Sequence, residues 1–453
     1  MNLKIAQELL KKKEFGRALE IFLNLTKNDK NNPKLNFYLG LIYSELNDYK
    51  KSISFFKKCL EYDPNSSSTL YNLAIVYQSI GNKNEAKNIY LKLIKKDKYH
   101  IRPYLGLHTL DPNYVTEDHY ENIIQIEQNK KITYYEKSLI FFILSKREKN
   151  KKNYKQEIQY LNDFHKLCFN SNYQYNLQSE FYYKKIINKH YNKIKISNFI
   201  NKKNTLSDYS PIFIIGLPRS GSTLVETLLT SSDNKIVSCG ESHVINMSLL
   251  SEISNKIFKK NFSLDKFKFQ IDYQNVSKLV NEKYQNFNVI NQKKMFIDKS
   301  LENFFNIELI LKIFPKAKFI HTYRNYSDSV ISIYQSLLFE LSWVHKIDDI
   351  IVYIDNYIKV IKYFNKKYEK SIINVNLENL TKEKDKISKD IFNFCGLKWD
   401  KKILNFYKRK DLFIKTLSGA QVRNAISIYN GSKYKNYLYL MDKFKKHYSW
   451  VKY

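Results

Sequence analysis

Met1-Asn2-Leu3-Lys4 leads directly into an amphipathic helix, and the hydrophobic pattern that follows repeats at a fixed interval. Gly40, Tyr43, Ser52, Phe56 and Pro64 are matched 34 residues later by Ala74, Tyr77, Ala86, Tyr90 and Lys98, and 34 residues earlier by Ala6, Leu9, Ala18, Phe22 and Lys30. Small residues fall where two helices would cross, and aromatics fall in the groove between them. Asn47-Asp48 and Gly81-Asn82 take corresponding turn positions between the helices. From Arg102 to about Thr205 the chain stays helix-patterned and polar, and only Asn153-Tyr154 with its flanks resembles a repeat. After Ser210 the pattern changes to a short apolar run, Pro211 to Ile215, then Gly216-Leu217-Pro218-Arg219-Ser220-Gly221-Ser222-Thr223, then an apolar helix from Leu224. That is a strand, a glycine loop and a helix.

A period of 34 with this placement of small and aromatic residues is the signature of tetratricopeptide repeats. The expected division is tetratricopeptide repeats over 1–110, degenerate helical repeats with capping and connecting helices over 111–205, and an α/β domain with a central parallel sheet over 206–453. Arrays of this kind bind peptides or partner proteins on their concave face, or serve as a structural stack for the next domain.

At 453 residues, 43% hydrophobic and 15% aromatic, with 10 Gly and 7 Pro, the chain can fill two cores and has little room for linkers. A net charge of +32 would attract polyanions. Lysine, however, is spread through every segment with Asn, Ile and Tyr, and no basic stripe stands apart, so nucleic acid is not an expected partner. Cys59, Cys168, Cys239 and Cys395 form neither a CxxC pair nor a metal-ligand spacing, which predicts reduced, buried thiols and no metal site. No apolar signal core is present, and the longest apolar run, Leu139 to Leu144, is too short to cross a bilayer, so a cytoplasmic protein without a membrane span is expected.

Arginine is scarce, seven of the 76 basic residues: Arg17, Arg102, Arg147, Arg219, Arg324, Arg409 and Arg423. Where lysine is the default cation, a retained arginine points to a need for its planar, bidentate fork. Arg219 lies in the glycine loop. Such a loop presents backbone N–H groups and a helix N-terminus to an anion. The spacing matches GxxxxGK[ST], but Ser222 stands where the lysine of that motif belongs. That lysine and magnesium serve a nucleoside triphosphate. A 5′-phosphosulfate carries less charge, needs no metal, and can be held by backbone N–H groups, the hydroxyls of Ser220, Ser222 and Thr223, and Arg219. A second strand-to-helix junction runs from Lys318 to Ser332. Asn325 is the predicted N-cap with Asp328 three residues on. Arg324, at the strand's end, and Ser332, two turns into the helix, can then reach one phosphate at the crevice where open parallel sheets bind ligands.

Together these segments resemble the sulfotransferase superfamily over about residues 206 to 440, closest to the tyrosylprotein sulfotransferases and to bacterial sulfotransferases fused to tetratricopeptide repeats. The resemblance rests on Pro218 to Thr223 as the 5′-phosphosulfate loop and on Arg324 with Ser332 as the 3′-phosphate pair. Cys239-Gly240-Glu241, Asp298-Lys299, Phe394-Cys395-Gly396-Leu397, and Gln421-Val422-Arg423 followed by the Tyr429-to-Tyr437 segment also match. Tyr326 replaces a frequent proline, and His243 stands where the acidic motif of tyrosylprotein sulfotransferases ends in arginine. The resemblance implies PAPS (3′-phosphoadenosine 5′-phosphosulfate) as co-substrate, with Arg423 and Lys433 added to its binding residues. It implies Glu241 as base, Lys299 at the bridging oxygen, Arg219 bracing the sulfuryl group, and a hydroxyl acceptor, foremost a polypeptide tyrosine.

Several readings stay open at this level. His243 is a rival base. Carbohydrates, lipids and small phenols are rival acceptors. Asp298 at the end of an apolar strand also fits a metal-binding segment of a kinase or NTPase, and a non-catalytic repeat scaffold with a relict transferase domain is a further class.

Overall fold

The computed structural model describes residues 2–128, 131–188, 191, 195–197, 206–232, 236–257, 270–287, 294–409, 419 and 421–452. The chain forms two compact units. The first is Met1–Leu167 with Asn286–Asn288 and Lys408–Arg423; the second is Cys168–Gln285, Val289–Tyr407 and Asn424–Tyr453.

In the first unit the 34-residue period becomes three helix pairs: α1 (Asn2–Lys11) with α2 (Phe15–Asn28), α3 (Pro33–Glu45) with α4 (Tyr49–Tyr62), and α5 (Ser67–Ser79) with α6 (Lys83–Lys96). The turns repeat down to the backbone. Lys13, Asn47 and Gly81, each 34 apart, have φ of 59°, 60° and 83°. The next residue's N–H then returns to a carbonyl five positions back: Glu14 to Leu9 at 2.9 Å, Asp48 to Tyr43 at 2.9 Å, and Asn82 to Tyr77 at 2.8 Å. This left-handed closure satisfies carbonyls that the helix end leaves open. Lys152 (φ 60°) and the Asn153-to-Glu148 bond repeat it between helices Tyr134–Asn150 and Tyr154–Ser171, which is why Asn153-Tyr154 resembles a repeat. The small-to-aromatic pairing has a steric cause: a Cβ added to Gly40 would meet the Phe56 ring at 2.5 Å, and Ser52 Oγ donates to the Gly40 carbonyl at 2.8 Å.

The second unit is built on a five-stranded sheet, wholly parallel, in the order β3 (Val237–Ser238), β5 (Phe296–Asp298), β2 (Ile212–Gly216), β6 (Lys318–Tyr323), β7 (Ile372–Asn376). β2 is buried along its whole length, as its unbroken apolar run predicts for a central parallel strand covered on both faces. Two short strands, β1 (Lys195–Ser197) and β4 (Gln270–Asp272), pair separately and in parallel. β1 lies in a stretch expected to be helical, and three residues are too few for an alternating pattern to show. Residues 198–205, at the end of the expected connecting segment, lie outside the described residues.

Among the described residues no helix is long and apolar enough to cross a membrane. All four cysteines are buried and free, and burial pushes the thiols of Cys168 and Cys395 up to about 12.

Candidate active site at the C-terminal edge of the sheet

The second unit places its chemistry where parallel strands end, the edge at which open α/β sheets bind ligands. The loop 216–221 follows β2, Glu241 follows β3, Lys299 follows β5, and Arg324 follows β6.

The loop's shape depends on its glycines. Gly216 has φ 145°, and an added Cβ would lie 2.2 Å from the Thr322 carbonyl oxygen on the neighbouring strand; Gly221 has φ 91°, and its Cβ would meet Leu377 at 2.7 Å. Arg219 adopts the left-handed region at φ 67°, an uncommon conformation for a non-glycine residue and a frequent one at ligand loops. Ser220 holds the loop to the sheet: its Oγ donates to the Leu217 carbonyl at 2.7 Å and is 2.8 Å from Thr322 Oγ1. Helix Ser222–Thr230 then begins on buried Ser222 and Thr223 with no side chain capping it. An anion at this end would meet the positive end of the helix dipole.

Beside the loop, Arg324 is 5% exposed. It donates to the Asp328 carbonyl at 2.9 Å, to Tyr434 Oη at 3.4 Å and to Ser329 Oγ at 3.4 Å, all neutral oxygens. Among the described residues it makes no ion pair. Asn325 accepts from the Asp328 N–H at 3.0 Å, so the predicted cap forms, and it starts the helix that carries buried Ser332. Burial, and then the charge of Arg324, push the Arg219 guanidinium below its ordinary value. Lys433 lies over the Tyr429 and Tyr434 rings. Burial opposes ionisation of the Tyr434 phenol, yet Arg324, the Ser332 hydroxyl and Lys433 together hold it below its usual range. A buried cation served by neutral partners, with a second guanidinium nearby, fits a phosphate group, which supplies the missing countercharge.

Arg423 belongs to the first unit, where its guanidinium donates to the Ser79 carbonyl and packs on Gly81. It is not among the residues gathered in the second unit.

Lys299, expected at a strand end, is 1% exposed. Its Nζ lies 2.6 Å from Glu241 Oε1 and 3.7 Å from Glu226 Oε2. Glu241 keeps half of its side chain, 51%, in solvent. His243 is committed elsewhere: its Nδ1 is 2.5 Å from Glu302 Oε1, and the Glu302 charge pushes the imidazole up to about 9 despite burial. An imidazolium at neutral pH has no lone pair with which to accept a proton.

That shift has a stability consequence. The folded value of His243 lies above the ordinary 6.5, so the pair's contribution is complete below about pH 6.5 and is lost as pH rises through about 9. Thermal unfolding followed across that window should show the decline. His243→Gln should abolish it, and an unchanged slope in the variant would assign the effect to other groups.

Asp298 is fully buried and its oxygens are taken. Oδ2 accepts from Tyr284 Oη at 2.7 Å and from Ser242 Oγ; Oδ1 accepts from the Ser300 N–H at 2.8 Å and from Asn303 Nδ2 at 3.4 Å. These bonds make it a strut between the end of β5 and the turn after β3.

Sequence reasoning missed Glu226, Glu302 and Tyr434. Glu226 left a signal, since it is the lone carboxylate in the apolar stretch Leu224 to Leu229, and a charge on a buried helix face requires a partner.

The comparisons agree with this architecture. Residues 211–401 match the model of the sulfotransferase family, and residues 33–66 and 55–88 match tetratricopeptide repeat models. The chain thus joins a segment similar to the sulfotransferase family to a segment similar to tetratricopeptide repeats. It is 29% identical over 268 residues to an uncharacterized protein of Aquifex aeolicus (strain VF5), covering 52% of this chain and 33% of that one. It is 32% identical over 93 residues to the uncharacterized protein ycf37 of Guillardia theta, covering 19% and 52%. The chain thus spans about a third of the first relative and about half of the second. Similar solved structures include the sulfotransferase domain from the Synechococcus PCC 7002 olefin synthase (17% identity, TM-score 0.33, 49% of this chain and 90% of that one). The sulfotransferase domain from the curacin biosynthetic pathway is another (15% identity, TM-score 0.32, 52% and 98%).

Proposed function

We propose that the second unit transfers a sulfuryl group from PAPS to an acceptor hydroxyl, with a polypeptide tyrosine as the foremost acceptor. The observation that carries this reading is the Lys299–Glu241 pair, a buried ammonium 2.6 Å from a half-exposed carboxylate at the strand ends beside the loop.

Each residue has work suited to its surroundings. Pro218 to Thr223 and the helix N-terminus bind the 5′ end of the donor, and Arg324, Ser332 and Lys433 bind its 3′-phosphate. PAPS supplies the sulfuryl group and leaves as adenosine 3′,5′-bisphosphate. Arg219 braces the group in transfer. Glu241, reachable from solvent, takes the acceptor's proton, and Lys299 holds a positive charge for the oxygen on which negative charge grows. Two observations favour Glu241 over His243 as base: the exposure of the carboxylate and the commitment of the imidazole to Glu302. The four hydrogen bonds on Asp298 speak against its use as a metal ligand.

A polypeptide acceptor is supported by the repeats in the same chain, an architecture suited to handling proteins and to holding a protein partner. The basic composition favours tyrosines flanked by Asp or Glu, an attraction that fades with salt.

The donor test is direct. Adenosine 3′,5′-bisphosphate without magnesium should stabilise the protein against heat, by about 2.7 kcal/mol at a hundredfold excess over its Kd, and ATP with magnesium should do less. Stabilisation by ATP-magnesium alone would instead support the NTPase reading. For the acceptor, radiolabelled PAPS incubated with cell extract should put label in the protein fraction; label confined to glycan or lipid would sink the tyrosine assignment.

A further inference from the structure

Glu226 is the only carboxylate on helix Ser222–Thr230, and its side chain is 14% exposed. Each of its oxygens has a distinct partner. Oε2 lies 3.7 Å from Lys299 Nζ, and Oε1 accepts from Ser238 Oγ at 2.6 Å. Ser238 Oγ in turn accepts the Gly240 N–H at 3.0 Å, and the Lys299 N–H donates to the Gly240 carbonyl at 2.9 Å. Gly240 sits at φ 58°, so the chain reverses there and delivers Glu241. The turn Ser238-Cys239-Gly240 is therefore pinned from two sides, through Ser238 to Glu226 and through Gly240 to the Lys299 backbone.

We infer that Glu226 is a positioning residue, holding Lys299 and the turn that presents Glu241 in fixed register with the phosphate loop's helix. This rests on the reading of Glu241 and Lys299 as the reacting pair. Its chemistry follows from charge. Lys299 lies between two carboxylates, and once Glu241 has taken up a proton it no longer balances the ammonium. Glu226 is then the remaining ion-pair partner of Lys299 among the described residues, so the buried cation stays compensated while negative charge moves to the leaving oxygen. Burial disfavours the Lys299 charge, yet Glu226 and then Glu241 hold it above its ordinary range. Burial pushes the Glu226 carboxyl above its ordinary range, Lys299 and then the Ser238 hydrogen bond oppose that shift, and the charges of Glu241 and Asp298 add to it.

Two variants separate the two tasks. Glu226→Gln keeps an oxygen for Ser238 and removes the charge. It should bind adenosine 3′,5′-bisphosphate at neutral pH as the wild type does, lose roughly 10- to 100-fold in kcat, and show an alkaline fall in both turnover and bisphosphate affinity within the range where the wild type is flat. Ser238→Ala keeps every charge and frees the turn, so kcat should fall without the alkaline change. It keeps the test decisive if Glu226→Gln does not fold. The readouts are calorimetric titration of the full chain with the bisphosphate across pH, and turnover of labelled PAPS. A residue serving packing alone would lower Tm and leave the alkaline profile in place, and that result, or wild-type kcat in both variants, overturns the inference while the Glu241–Lys299 reading stands. Absence of bisphosphate binding by the wild type overturns both.

Discussion

Glu241→Gln should leave adenosine 3′,5′-bisphosphate binding intact and lower turnover by about 10²- to 10⁴-fold, the usual contribution of a positioned base. The substitution is nearly isosteric, and the amide oxygen can still accept from Lys299, whose Nζ is 2.6 Å from Oε1. The ammonium therefore stays placed, and only the capacity to accept a proton disappears. His243→Ala makes the contrast. That imidazole is protonated and bound to Glu302, so its loss should cost stability below about pH 9 and leave most of the turnover. Single-turnover transfer from labelled PAPS, measured beside calorimetric titration with the bisphosphate, separates chemistry from binding. Full activity in Glu241→Gln with a dead His243→Ala would falsify the base assignment.

How much of this was legible in advance follows from the range of the interactions involved. The repeats could be read because their determinants are local. A left-handed turn at Lys13, Asn47 and Gly81, and a small residue such as Gly40 under an aromatic such as Phe56, recur at one spacing and leave one pattern. The strand, glycine loop and helix from Ile212 to Thr230 were legible for the same reason, since they are contiguous. The partners within the site were not. Glu226 meets Ser238 and Lys299, Asp298 meets Tyr284 and Ser242, and Arg324 meets Tyr434, all pairs separated in sequence that only the packing of strands and helices brings together. A candidate base such as His243 looks free until its neighbour is known, and Glu302 is 59 residues away in sequence. Arg423 illustrates the converse. Its rarity marked it as a fork with a purpose, and the group it reaches, the Ser79 carbonyl, is 344 residues distant.

Asp298 yields a second large effect, on stability. Asp298→Ala removes a buried acceptor from Ser242, Tyr284, the Ser300 N–H and Asn303. Leaving buried donors unsatisfied costs about 1–3 kcal/mol each, partly relieved by rearrangement, so a loss of about 3 kcal/mol or more is expected. For a unit of this size that lowers Tm by on the order of 6–12 °C. Asp298→Asn should be far milder. Its oxygen can keep the Ser300 and Asn303 donors, and its amide can donate to the Ser242 and Tyr284 hydroxyls, which can turn to accept. A metal ligand would give the opposite pattern, in which Ala and Asn both abolish a magnesium-dependent activity with little difference in Tm. Thermal melts and turnover of the two variants, each with and without magnesium, therefore decide between a strut and a metal site. A large gap in Tm between Ala and Asn, with magnesium indifferent in both, is the result expected of the hydrogen-bonded carboxylate that joins the end of β5 to the turn bearing Glu241.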